Sequence, residues 1–374
     1  MVAISRLLAS RNGVILTGLT VGILAPVLVA LGNPGNMGVC VACFSRDIAG
    51  ALGLHRAAPG QYIRPEIIGF VLGALVAALA WGEFRPRGGS APLVRFVLGM
   101  ASAIGALVFL GCPWRAFLRL GGGDLNAIAG ILGLTAGIGV GIGFLRRGFS
   151  LGRSHPATYA LGWVMPGLMV GLLLLLLVAP RFGRDATGAA VGPIFFSAQG
   201  PGSQHAPILL ALGVGLLIGF LAQRSRFCTV GGVRDLLLLR DPHLFNGVLA
   251  LLVAAVVTNL ALGQFVLGFD KQPVAHTSTL WNFAGMVLAG LAFTLGGGCP
   301  GRQLFLAGEG DGDAAVFAMG MIVGAAVSHN FNAASSGAGP SPYGPAGVIM
   351  GLAICLVIGW TMRETRQGSE NVHV

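Results

Sequence analysis

Two copies of a Cys-Pro-x-Arg motif could bind an anion. They begin at Cys112 and Cys299, 187 residues apart (299 − 112), and each ends a long apolar run. Proline is tolerated at the first helical position, where its missing N–H costs nothing. Each cysteine is therefore predicted at or just before a helix start, and the first short helix is expected from Pro113 to Leu120. A helix start presents unpaired N–H groups and partial positive charge, which favour an anion.

A second pair of cysteines keeps nearly the same spacing. Cys40 lies six residues before Arg46-Asp47. Cys228 lies six residues before Arg234-Asp235, so the offset is 188 at all three positions (228 − 40). We interpret the chain as a tandem duplication of about half its length. Each of these arginines is expected to pair with an acid and cap a re-entrant loop, with a functional role as the alternative.

The thiol groups at these positions limit the class of anion that could bind there. An S–H is a weak donor, and sulfur is a soft, polarisable acceptor. A hard oxyanion site would more naturally use hydroxyls or arginine forks. A path lined by thiols suits an anion that itself exposes sulfur or selenium, such as a thiosulfate-like ion. Arg115 and Arg302, one turn into the short helices, could add positive charge or hold the loop.

The composition requires membrane-spanning helices to position these residues. The chain of 374 residues is 55% hydrophobic and 10% charged, whereas soluble proteins carry about 25% charged residues. We predict an all-α polytopic membrane protein, because many apolar runs can cross about 30 Å of hydrocarbon. The ten predicted spans are 13–31, 66–82, 92–110, 125–145, 159–179, 206–222, 244–267, 281–296, 313–331 and 345–362.

The arginine distribution predicts the orientation. With both termini cytoplasmic, the arginine-rich loops 83–95, 146–156, 223–242 and 363–366 fall inside, as the positive-inside rule requires. Arg181 and Arg184 are mild exceptions outside. The net charge of +10 therefore reflects topology, and no nucleic acid is expected as a partner.

The odd number of spans in each half predicts inverted repeats. The expected units are a first repeat (1–180), a connector (181–205), a second repeat (206–362) and a polar tail (363–374). Because each repeat has five spans, the second copy enters the membrane in the opposite orientation to the first. The Cys40 and Cys112 segments then enter from outside and the Cys228 and Cys299 segments from inside. Re-entrant short helices that meet near the midplane are typical of a transport site.

The other polar residues and cysteines have simpler interpretations. Asp124 and Asp311 are predicted to cap the spans that follow them. His329 is expected to have a packing or interface role, with proton coupling as the alternative. Cys355 lies inside an apolar run, and the cysteines beside glycine-rich breaks suit free thiols better than disulfides. Neither a phosphate-binding glycine loop with a lysine nor convincing zinc-ligand spacing is present, so no cofactor is predicted.

These motifs resemble the YeeE/YedE family, also called the sulphur-transport family, and especially its longer YedE-type members, described as selenium transporters. The resemblance covers roughly residues 13–360 and rests on Asn33–Cys40, Gly111–Arg115, Phe227–Gly232 and Gly297–Gln303. It implies an hourglass-shaped uptake protein of the bacterial inner membrane whose short helices meet at a central constriction. Thiosulfate is the substrate associated with YeeE members.

The resemblance also implies roles for individual residues. Cysteines at Cys40, Cys112 and Cys299 would pass the ion through S–H···S contacts, and Cys228 would extend the series. With Cys43, Arg115 and Arg302, these residues form the predicted substrate-binding set. The expected partners are a small sulfur or selenium anion, the bilayer and, as a candidate, a cytoplasmic sulfur-carrier protein.

Two other functions are weighed against uptake. A membrane-embedded sulfurtransferase or thiol-disulfide carrier would form a covalent cysteine adduct, and a stable adduct after substrate exposure would indicate it. A structural partner in a larger complex would have wholly apolar spans, and the polar breaks argue against it. The sequence therefore favours a transporter that is not an enzyme.

Overall fold

The computed structural model describes residues 2–181, 183–184 and 190–363. The part described contains ten long helices: α2 (Arg11–Ala30), α4 (Pro65–Ala80), α5 (Pro92–Phe109), α7 (Asn126–Arg146), α8 (Tyr159–Val178), α9 (Ile208–Ser225), α11 (His243–Ala261), α12 (Thr279–Leu295), α14 (Gly312–Asn330) and α15 (Gly344–Thr361). Five helices are short: α1 (Val2–Leu8), α3 (Val41–Ala51), α6 (Pro113–Gly121), α10 (Thr229–Leu239) and α13 (Pro300–Gly308). Two antiparallel pairs of two-residue strands join Arg87–Gly88 to His155–Pro156 and Gly183–Arg184 to Ala190–Val191.

The predicted all-α membrane fold is confirmed. Within the described ranges, nine helical segments are long and apolar enough to cross a membrane. The tenth predicted span is α4, which has only 16 residues and therefore rises about 24 Å. The predictions for residues 364–374, and for the side chain of Arg184, lie outside the part described.

The short helix after Cys40 begins earlier than predicted. We expected it from Ser45 to Leu54, but α3 begins at Val41 and ends at Ala51. Gly38 is the last glycine or proline before this helix. Cys40 Sγ accepts a hydrogen bond from the N–H of Cys43. The cysteine therefore caps the helix directly. The other predicted short helix is confirmed, since α6 starts at Pro113.

Helix packing relates the two halves of the chain. Each helix from α2 to α8 has a counterpart seven helices later, from α9 to α15. Helix α5 packs against α14, and its counterpart α12 packs against α7, the counterpart of α14. The same relation holds for α4 and α9, because their counterparts α11 and α2 also pack against each other. The two halves therefore build one joint core, which agrees with a duplication.

Glycines allow these helices to pack closely. A Cβ on Gly137 of α7 would lie 2.1 Å from the carbonyl oxygen of Val287 on α12, and one on Gly133 would lie 2.1 Å from that of Phe283. Gly139 and Gly143, on the same run, face open space. Small residues thus line the contact between α7 and α12.

The connections between long helices gather at two ends. At one end, the loop after α3 meets the segment before α9 through Gln61 and Ser197. At the other, the loop after α4 meets the turn after α13 through Arg85 and Glu309. Following the predicted orientation, we call the first the outer end and the second the inner end. Helix α2 runs antiparallel to its counterpart α9, since Arg224 at the end of α9 donates to the carbonyl of Ser5 before α2.

Candidate functional site

Four cysteines occupy the same structural position. Cys40, Cys112, Cys228 and Cys299 stand immediately before α3, α6, α10 and α13, respectively. All four are free thiols and at most 4% exposed. Three of the sulfurs accept a hydrogen bond from a backbone N–H in the first turn of their own helix. The predicted placement of Cys112 and Cys299 at helix starts is confirmed, and Cys40 and Cys228 share it.

The thiols lie in two pairs, one in each half of the chain. Cys40 Sγ accepts from the backbone N–H of Cys112 at 3.5 Å, and Cys228 Sγ accepts from that of Cys299 at 3.2 Å. Within each pair, the sulfur of one cysteine therefore contacts the backbone of the other. Two helix starts therefore converge on each pair, and their partial positive charges act together on an anion placed there.

The indole of Trp114 connects the surroundings of the two pairs. Trp114 follows Cys112 by two residues and packs against Gly301, which follows Cys299 by two; a Cβ on Gly301 would lie 2.9 Å from the indole Cζ2. The ring centroid also lies 5.6 Å from that of Phe227, next to Cys228. Trp114 Nε1 is buried and has no hydrogen-bond partner among the described residues. The short helices of both halves thus meet at this ring.

The buried guanidinium of Arg115 gathers backbone carbonyls from three segments, in one of which Pro273 O accepts at 3.5 Å beside Val274 O. Its Nε donates to Asn36 O at 3.0 Å, its Nη2 to Val274 O at 2.9 Å, and its Nη1 to Leu110 O. These three acceptors belong to residues with left-handed backbone, with φ of 56°, 49° and 64°, respectively. Such backbone is costly for residues other than glycine, above all for a β-branched valine, and it concentrates at functional sites. Arg115 therefore holds three bent segments in place.

The charge of Arg115 is not balanced by a nearby acid. Its Nη1 also donates to Cys43 Sγ at 3.4 Å, and no carboxylate of the described residues lies within ion-pair distance of it. Its counterpart Arg302 differs, because Nη1 of Arg302 lies 3.5 Å from Glu309 Oε1. Glu309 also pairs with Arg226. The first half therefore holds an uncompensated positive charge beside its thiols, and the second half does not.

A buried ion-pair cluster supports the segment around α3. Arg46 and Arg64 both bind Asp47, at 2.6 Å and 2.7 Å, and the side chains of Asp47 and Arg64 are fully buried. The predicted pairing of Arg46 with an acid is confirmed, whereas the sequence did not indicate Arg64, which lies 17 residues from Asp47. In the second half, Asp235 pairs with Arg234 at 2.8 Å and is 18% exposed.

Replacing Asp47 by asparagine is expected to destabilise the protein. The variant leaves Arg64 buried without its counter-charge, and breaking a buried pair costs about 3–5 kcal/mol. The matched variant Asp235→Asn breaks a partly exposed pair and should cost less than about 1 kcal/mol. The measurement is the thermal unfolding midpoint of the purified protein in detergent. Equal midpoints for the two variants would contradict a structural role for the cluster.

The remaining predicted residues have mainly structural roles. Asp311 caps α14 by accepting from the N–H of Ala314, as predicted. Asp124 accepts from the N–H of Asn126, but it also forms a fully buried ion pair with Arg119 at 2.6 Å, which the sequence did not indicate. Cys355 is buried in α15, consistent with a core residue.

Residues 224–361, which contain Cys228, Cys299 and their helices, match a family model described as Sulphur transport. The second half of this chain is therefore similar to the sulphur-transport family. Thiosulfate transporter TsuA of Escherichia coli K12 is 36% identical over 107 residues, 28% of this chain and 29% of that protein. TsuA of Spirochaeta thermophila is 31% identical over 103 residues, 28% of this chain and 31% of that protein. The chain thus spans less than a third of the length of each curated relative.

Proposed function

We propose that this protein, like its relatives in the sulphur-transport family, carries a small thiosulfate-like anion inward across the bacterial inner membrane. The observation that carries the proposal is the two pairs of buried thiols, each placed where two helix starts converge. The names of the two curated relatives support thiosulfate as the substrate. A selenium-containing analogue has the same charge and a similarly soft terminal atom, so we include it in the proposed substrate class.

In the proposed binding mode, the anion makes two kinds of contact with the protein. Converging helix starts and the guanidinium of Arg115 would stabilise the negative charge, and their effect is strong because the surroundings are dry. The thiols would contact the terminal sulfur, as weak donors and soft acceptors. Cys43 would act with them, since its sulfur already accepts from Arg115 Nη1. No covalent bond to the substrate is needed, so we propose a transporter and not an enzyme.

We propose that the two halves insert as inverted repeats, so that the pairs act in succession. The antiparallel arrangement of α2 and α9 supports this topology. An ion from the outer end would reach Arg115 with Cys40 and Cys112, pass Trp114, and then reach Cys228 and Cys299. The acid beside Arg302 makes the inner pair a weaker anion site than the outer one. Such a difference favours capture outside and release inside, where a sulfur-carrier protein is a candidate recipient.

The direct test is uptake of ³⁵S-thiosulfate by the purified protein in sealed liposomes. We expect saturable uptake that excess unlabelled thiosulfate suppresses, and no uptake of labelled sulfate, which lacks the terminal sulfur. Absence of thiosulfate uptake would overturn the proposal. Mass spectrometry after turnover tests the alternative, because a stable sulfur adduct on Cys112 or Cys299 would favour a sulfurtransferase.

A further inference from the structure

A cavity lies among the outer-end loops, and none of the four paired thiols belongs to its lining residues. Its volume is about 350 Å³, roughly ten times the share of one water molecule in the liquid. Its lining includes Arg46, Val274, His329 and Ser335 and therefore comes from both halves of the chain. A small hydrated oxyanion fits a space of this size.

Polar atoms on three residues that line this cavity have no hydrogen-bond partner among the described residues. His329 Nε2 and Ser335 Oγ are buried and make no hydrogen bond to any described residue. Ser335 is 93% buried, with a relative exposure of 7%. Arg46 directs Nε and Nη2 to Asp47, and its Nη1 has no acceptor within the ranges described. Because buried polar groups are nearly always satisfied, the two buried atoms without a partner, beside a free guanidinium nitrogen, point to a missing hydrogen-bonding ligand.

The charge around the cavity favours an anion. Arg46 lines the cavity and shares the single carboxylate of Asp47 with Arg64. No carboxylate belongs to the described residues that line the cavity. His55 stacks on His329 with ring centroids 4.5 Å apart. Burial lowers the pKa of His55, so this imidazole is neutral at pH 7 and leaves the charge to the arginines.

The cavity adjoins the outer thiol pair. Leu110 and Val274 line it, and their carbonyls both accept from the guanidinium of Arg115. The same guanidinium contacts Cys43 Sγ at 3.4 Å, and the N–H of Cys43 donates to Cys40 Sγ at 3.4 Å. A short chain of contacts therefore leads from the cavity to the thiols.

We propose that this cavity is a first binding site, where Arg46, His329 and Ser335 hold the oxygen atoms of a small divalent oxyanion before it reaches the thiols. The inference deepens the proposed function and rests on it for the direction of movement. The ligand contacts here are hydrogen-bond donors of nitrogen and oxygen, with no thiol among the three. The cavity should therefore bind sulfate as well as thiosulfate, although only thiosulfate is passed on.

The first test compares uptake kinetics of two variants. His329→Phe combined with Ser335→Ala removes two donors and keeps an aromatic ring against His55. Loss of hydrogen bonds to a charged ligand should raise the half-saturating thiosulfate concentration about tenfold or more, while the maximal rate stays unchanged. Inhibition by sulfate should weaken by a similar factor. The control Ser328→Ala removes a neighbouring hydroxyl that already donates to Gly324 O, and it should leave the half-saturating concentration unchanged.

The second test does not depend on transport. Calorimetry of the full-length protein in detergent should detect sulfate binding in the parent and also in the Cys112→Ala/Cys299→Ala variant. In the His329→Phe/Ser335→Ala variant, the dissociation constant should rise about tenfold or more. If that variant binds sulfate as tightly as the parent, or if the parent binds none, the proposed site is overturned. Sulfate binding without any thiosulfate uptake would instead overturn only the proposed function.

Discussion

Replacing Cys112 and Cys299 together by alanine is expected to reduce thiosulfate uptake by at least about a hundredfold. The double variant removes one thiol from each pair, and each lost contact to a charged ligand is worth about 1.5–3 kcal/mol. The fold should persist, because the bonds that join the paired helix starts run from the backbone N–H groups of residues 112 and 299 to Cys40 Sγ and Cys228 Sγ. Initial uptake rates in liposomes, at matched protein content, give the measurement.

Cys355→Ala is the matched control for the thiol variants. Cys355 is as buried as the other cysteines but lies within α15, away from the four short helices. This variant should transport at the rate of the unmodified protein. Normal uptake by the Cys112→Ala/Cys299→Ala variant would show that the thiols do not handle the anion. Comparable losses in the double variant and in Cys355→Ala would indicate a general effect of removing buried sulfur.

Arg115→Lys is expected to abolish uptake and to destabilise the protein. An ammonium offers its donors from a single atom, so lysine cannot reach carbonyls that approach a planar guanidinium from different sides. At least two of the carbonyls of Asn36, Leu110 and Val274 would lose their donor in a buried site. Each such loss costs about 1–3 kcal/mol, so two losses lower the free energy of unfolding by roughly 2–6 kcal/mol, and we expect a lower unfolding midpoint in detergent.

Arg302→Lys is the matched control, because it makes the same change at the counterpart position. A lysine there can still pair with Glu309, and the native side chain is partly exposed, at 14%. We expect a midpoint close to that of the unmodified protein and substantial residual uptake. If both variants behave alike, the unbalanced charge and the bent segments around Arg115 have no special role.

Much of this architecture could be predicted from the sequence. Apolar runs predict membrane-spanning helices because hydrocarbon excludes unpaired backbone groups. A proline directly after Cys112 and Cys299 predicts a helix start at each, since this local preference needs no information from the rest of the chain. The 188-residue offset of Cys228 from Cys40 likewise predicts that the two residues occupy equivalent positions, and both are helix caps. The start of α3 was misjudged because a cysteine is a rare cap.

Only the tertiary structure decided how these elements meet. The three carbonyls around Arg115 lie 79 residues before it, five before it and 159 after it, and no local pattern indicates that they converge. The same is true of the ion pair between Arg64 and Asp47 and of the packing of Trp114 against Gly301. Local patterns do not indicate these contacts either. Local sequence determines which residues begin a helix. Long-range packing determines which carbonyls, rings and charges surround the thiols, because it depends on contacts between segments far apart in the chain.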